Sequence, residues 1–206
     1  MNQRDLQFVE KIMEEIRGLR NSATLVFNTT FTQIGKTNLL LLKGLLDIEQ
    51  LTGYFIVLDR PHQYMSYLLH MHKVSQENLW FIDSVTHQSG VKMELSDRVE
   101  FLEGPFHVEN LFKTFEMIND GKGKGFVSMD RVDFLLVDNI ATMLNYNNIE
   151  QIEEFVISLK AYIEKYPHMM GGVTIDKESH PELSEILLEH YDYMIDLEDL
   201  KKDVEK

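Results

Sequence analysis

Gly35, Lys36 and Thr37 follow one another in the order that phosphate chemistry uses. In a phosphate-binding loop, the backbone N–H groups ahead of a helix form a concavity, with the positive end of the helix dipole behind it. Lys36 would reach the β and γ phosphates there, and the Thr37 hydroxyl would ligate magnesium. The full pattern is G-x-x-x-x-G-K-[ST], and Thr30 occupies the position of its first glycine. Thr29 and Thr30 are β-branched and ill suited to positive φ. The triplet alone recurs by chance in loops; the strand before it and the helix after it give it weight. Thr30, Gly35, Lys36, Thr37 and Asn38 are therefore the candidate nucleotide-holding residues.

A magnesium site needs a second group, a carboxylate at the end of a buried strand. Phe134, Leu135, Leu136 and Val137 run into Asp138, which makes Asp138 the partner for Thr37 at the metal. Asp59, Asp83 and Asp176 also close apolar runs. In a parallel sheet all four acids fall on the carboxyl edge, where ligands bind. Buried strands also end in Asp for turn chemistry alone.

The elements that must position these groups alternate. Leu6, Val9, Ile12 or Met13, Ile16 and Leu19 predict an amphipathic helix over about 5–20. Strand character follows at 23–27, a segment without helix period at 28–34, and a Leu-rich helix at about 36–51. Further strands are expected at 54–59, 79–83, 99–102, 133–138, 170–175 and 193–197, and further helices from Pro61, from Val108, over 149–166 and over 181–189. The helix after Pro61 is expected to bury Tyr64, Tyr67, Leu68 and Met71. Gly171-Gly172 suits close packing in a strand. The segment at 84–96 and the GKGKG run at 121–125 read as connections, and the charged tail at about 198–206 as a solvated helix. The result is a single α/β domain over 1–206, a mostly parallel sheet with helices on both faces.

Composition narrows the function. A net charge of −14 argues against a broad nucleic-acid surface. With no cysteine there is no disulfide or thiolate metal site, which fits a reducing cytoplasm. No apolar run is long enough to span a membrane, and the N-terminus does not read as a signal peptide.

The order of these motifs resembles the RecA-like P-loop ATPases, and within them the KaiC-like proteins. The resemblance rests on GKT at 35–37, YFIVLD followed by Arg60-Pro61, RVDFLLVDN at 131–139, the glycine-containing strand after a long helix, and the closing HYDYMIDLED. It implies a three-layer RecA-like fold with ATP and magnesium at the loop. KaiC-like proteins place two glutamates before the proline after the second strand, where this chain has Asp59 and Arg60. Asp59 is then the one acid placed to orient water, and hydrolysis is expected to be weak or absent. The resemblance implies a regulatory role and a protein partner or homo-oligomer. The alternative is a nucleotide-free relative serving as a protein-interaction or signalling module.

Overall fold

The computed structural model describes residues 1–19, 22–90, 96–102, 108–121 and 125–204. Its centre is a sheet of seven strands: β1 (Thr24–Asn28), β2 (Gly53–Val57), β3 (Leu79–Asp83), β4 (Val99–Phe101), β5 (Phe134–Val137), β6 (Met170–Ile175) and β7 (Tyr193–Asp196). The spatial order is β4-β3-β2-β5-β6-β1-β7, and every pairing is parallel. The inner strands are apolar almost throughout because helices cover both faces, so β1, β2, β5 and β6 are buried at every position.

The helices are α1 (Gln3–Arg17), α2 (Ile34–Lys43), α3 (His62–Met71), α4 (Thr86–Ser89), α5 (Val108–Asn119), α6 (Ile149–Ile163), α7 (Pro181–His190) and α8 (Leu197–Val204). One layer holds α1, α2, α3 and α8, packed on Leu25, Phe27, Phe55 and Leu136. The other holds α5, α6 and α7, packed on Val26, Tyr54, Leu135 and Val173. Helices that follow β1 and β2 lie on the first face, and those that follow β5 and β6 on the second, because these pairs of strands step in opposite directions across the sheet. Right-handed crossovers require that split. The expected three-layer α/β arrangement is thus the one observed, consistent with a RecA-like domain.

Local chemistry accounts for the boundaries. Asn2 and Asn148 open α1 and α6 with reciprocal capping boxes to Asp5 and Gln151. The helix expected over about 36–51 starts earlier and is shorter: α2 gives way to a π-helical turn over Gly44–Ile48, closed by the Glu49 N–H donating to Gly44 O. Met13 of α1 presses on that turn, and a Cβ at Gly44 would lie 2.6 Å from its sulfur. In β6 a Cβ at Gly171 would lie 2.0 Å from Ile163 Cδ1, so the glycine lets α6 approach the sheet.

Two further expectations are corrected. The tail is not a solvated helix: Leu197 is buried, and Leu200 and Val204 pack on the α1–α2 core. The buried face of α3 is His62, Met65 and Leu69, while Tyr64, Tyr67 and Met71 point outward. Part of the 84–96 connection forms α4, and residues 91–95 lie outside the described residues, as do Gly104-Pro105 and 122–124 of the GKGKG run. Among the described residues no helix is long and apolar enough to cross a membrane.

Candidate functional site at the carboxyl edge

The predicted loop after β1 is replaced by a tight connection. Thr29 continues the ladder by donating its N–H to Ile175 O, Thr30 is extended, and one 3-10 turn over Phe31–Gln33 leads straight into α2. No residue from 28 to 37 has positive φ. A chain with β-branched Thr29 and Thr30 in place of glycine takes the conformation those side chains favour. The leading N–H, of Phe31, donates 2.9 Å to Asp176 Oδ2. A carboxylate of the protein therefore occupies the position of an anion at this turn. Burial would raise the Asp176 carboxyl, but the Ser179 hydroxyl and the N–H groups of Phe31, Ser179 and Glu178 hold it below the usual carboxylate value.

Of the remaining candidates, Lys36, Thr37 and Asn38 are likewise engaged within the protein. Gly35 sits in the first turn of α2 at negative φ, where a Cβ would make only ordinary contacts, the nearest 3.8 Å away at the Tyr64 hydroxyl. Lys36 Nζ is 2.7 Å from Asp5 Oδ1 in α1, and the other oxygen of Asp5 accepts the Asn2 N–H of the capping box. Burial would lift the Asp5 carboxyl, but Lys36 and Asn2 hold it below its ordinary value. The buried Thr37 hydroxyl donates to Thr29 Oγ1 at 3.0 Å, and Thr29 Oγ1 donates to Glu198 Oε1 at 3.3 Å. This relay runs toward α8.

Asn38 is fully buried, and its Nδ2 donates 2.6 Å to Asp138 Oδ1. The N–H groups of Asn139 and Asp59 also reach the Asp138 carboxylate, but burial and then the charge of Asp59 outweigh them and raise Asp138 to about 7. Asn38 thus links the α2 start to β5, although β6 lies between β1 and β5. Thr37 and Asp138 open into different clefts. Thr37 faces a cavity of about 210 Å³ between α1, α2 and α8, with Asp5, Phe8 and Glu198. Asp138 faces one of about 420 Å³ between α2 and α3, with Gly35, Asp59, Arg60 and Tyr64. Lys36 borders both. Asn38, next to Thr37 in α2, spans from Thr37 to Asp138, the two residues expected at one metal. Asp59 stands in the larger cleft with Arg60 Nε 3.6 Å away, and the Arg60 guanidinium lies 4.7 Å from the centre of the Tyr64 ring.

Sequence reasoning missed Asp5, Asn28, Asp196 and Glu198, which complete this edge. Asn28 Nδ2 donates to Asp196 Oδ2 at 2.9 Å, and Lys177 Nζ approaches the same oxygen at 2.5 Å. Only the capping pattern at Asn2–Asp5 could have drawn attention to one of them. Beyond β2, Asp83 is buried and accepts from the His62 N–H, from the N–H groups of Val85 and Thr86, and from the Thr86 hydroxyl; His62 Nδ1 lies 2.7 Å away. Burial opposes its ionisation, but these donors bring Asp83 down to about 2. It holds the end of β3 to the start of α3.

No family model matches the chain, and no curated protein does. Among solved structures, an uncharacterized protein from Pyrococcus horikoshii, crystallised in complex with an unknown peptide, is similar in fold. It has a TM-score of 0.61 and 12% identity, over 90% of this chain and 81% of that one.

Proposed function

We propose that this chain is a RecA-like, KaiC-related domain that works without nucleotide as a protein-binding, regulatory module. The observation that carries this reading is the internal engagement of Lys36, Thr37, Asn38 and Asp138, and of the leading amide. Asp176 caps the Phe31 amide, Asp5 holds Lys36, Thr29 Oγ1 accepts a hydrogen bond from the Thr37 hydroxyl, and Asn38 donates to Asp138. A nucleotide would have to displace several of these contacts at once. The unknown peptide in complex with the Pyrococcus horikoshii protein agrees with a peptide or protein partner.

A second reading keeps ATP and magnesium, with little or no hydrolysis. It is favoured by the larger cleft, which gathers Gly35, Lys36, Asp59 and Asp138 at the carboxyl edge. The Lys36 side chain is half exposed, and a pair such as Lys36–Asp5 contributes only about 0–1 kcal/mol, so it could exchange for a phosphate.

Isothermal titration of the protein with ATP and magnesium chloride separates the two. The nucleotide-free reading expects no saturable heat up to about 1 mM ligand, for wild type and Lys36→Ala alike. Saturable binding by wild type that Lys36→Ala abolishes would establish the second reading instead.

A further inference from the structure

The cavity of about 210 Å³ between α1, α2 and α8 joins an apolar wall to charged groups. Phe8, Leu40 and Leu197 line it at 8%, 3% and 1% exposure, with half-buried Val204 beside them. Its charged lining sets three cations, Arg4, Lys36 and Lys201, against two acids, Asp5 and Glu198. That is a locally basic site in a chain with a net charge of −14.

Part of this charge is already spent. Asp5 is taken by Lys36 and by the Asn2 N–H, and Glu198 accepts from the Thr29 hydroxyl. Among the described residues, neither Arg4 on α1 nor Lys201 on α8 has an ion-pair partner, whereas Lys177 and Lys202 nearby are paired with Asp196 and Asp199. The N-terminal ends of all three helices also border the cavity, through Arg4 and Asp5, Lys36 and Thr37, and Leu197 and Glu198. Their positive dipole ends add to the field of the two unpaired cations, and both favour an anion.

We propose that this cavity captures the C-terminal residue of a partner polypeptide whose last side chain is apolar. The chain-end carboxylate meets Arg4 and Lys201, the side chain packs on Phe8, Leu40 and Leu197, and the last amide N–H donates to Glu198. Size and charge select this occupant. The cavity is smaller than the roughly 300–1,000 Å³ of a site for a drug-sized molecule, so it suits one residue and not a long acyl chain. Asp5 and Glu198 oppose a dianion such as phosphate. An aspartate or glutamate within a chain brings the carboxylate without the apolar group. The site rests on the protein-binding reading above, for which it supplies the place and the ligand chemistry.

The test is a heteronuclear NMR titration of the full chain, up to about 5 mM, with an N-acetylated tetrapeptide ending in alanyl-leucine. With its carboxylate free, the peptide is expected to shift amide signals of α1, α8 and the start of α2 saturably, with a Kd of about 0.1–1 mM. Amidation of the peptide, aspartate in place of its last leucine, Arg4→Glu and Lys201→Glu should each weaken binding at least about tenfold. Arg4→Gln and Lys201→Gln replace the charge reversals should circular dichroism show either variant to be unfolded. Octanoate and inorganic phosphate are titrated in parallel. No shift at these helices with the free peptide, equal affinity for the amidated one, binding unchanged in both variants, or tighter binding of octanoate or phosphate would each overturn the proposal. The protein-binding reading fails by a separate result, saturable ATP binding that Lys36→Ala abolishes, so the two failures are distinguishable.

Discussion

The Asp176 carboxylate accepts the Phe31 amide at 2.9 Å, so the turn ahead of α2 is closed by the protein's own anion. Asp176→Ala should therefore cost about 1–2 kcal/mol in urea unfolding, the range for losing a capping carboxylate. With the carboxylate gone, inorganic sulfate should raise the melting temperature of the variant by more than that of wild type. Equal salt effects on both proteins would show that the freed amide does not attract an anion.

What the sequence revealed and what it hid have separate physical causes. Buried parallel strands are continuous apolar runs closed by turn residues, so β2, β3, β5 and β6 were readable from composition alone. The outward stripe of α3 was not, because Tyr64, Met65, Tyr67, Leu68, Leu69 and Met71 surround the helix with apolar groups and leave no period to choose a face. Packing chose Met65 and Leu69. The shape of the turn ahead of α2 was hidden for a related reason: Gly35-Lys36-Thr37 records residue types, but the shape depends on backbone freedom at 29–30 and on Asp176, some 145 residues from Phe31. Asp5 and Glu198 approach the site through tertiary contacts of α1 and α8, which no local pattern records.

Asp138 and Asp83 should shape the pH profile in opposite ways. Asp138 is raised to about 7 when folded, against about 3.9 unfolded, so the native state holds the extra proton in between. Its contribution is full at low pH and is lost as pH rises from about 4 to 7. The stability of wild type relative to Asp138→Asn should accordingly fall by about 2–3 kcal/mol between pH 5 and pH 8. Asp83, lowered to about 2, contributes above pH ~4 and loses that contribution as pH falls toward 2. Asp83→Asn should lose about 2–3 kcal/mol at pH 7 and show a shallower acid limb. Urea midpoints across pH 2 to 9 check both; parallel profiles for wild type and either variant would refute the assignment for that residue.

Gly171→Ala should destabilise by about 1–3 kcal/mol, because the added methyl group meets Ile163 Cδ1 at 2.0 Å. Ile163→Val removes that carbon. In the double variant the two costs should add to less than their sum, with a coupling of about 0.5 kcal/mol or more. Strict additivity would mean that the backbone shifts to admit the methyl group.

The position of β1 between β6 and β7 has a consequence for how the chain emerges from the ribosome. This strand is made well before its hydrogen-bonding neighbours, which begin only at Met170 and Tyr193. Until those neighbours are made its five residues have two open edges, the condition under which nascent chains aggregate or need a chaperone. Closure of the sheet around β1 is a late event, and it brings Asp176, Asp196 and Glu198 to its end together.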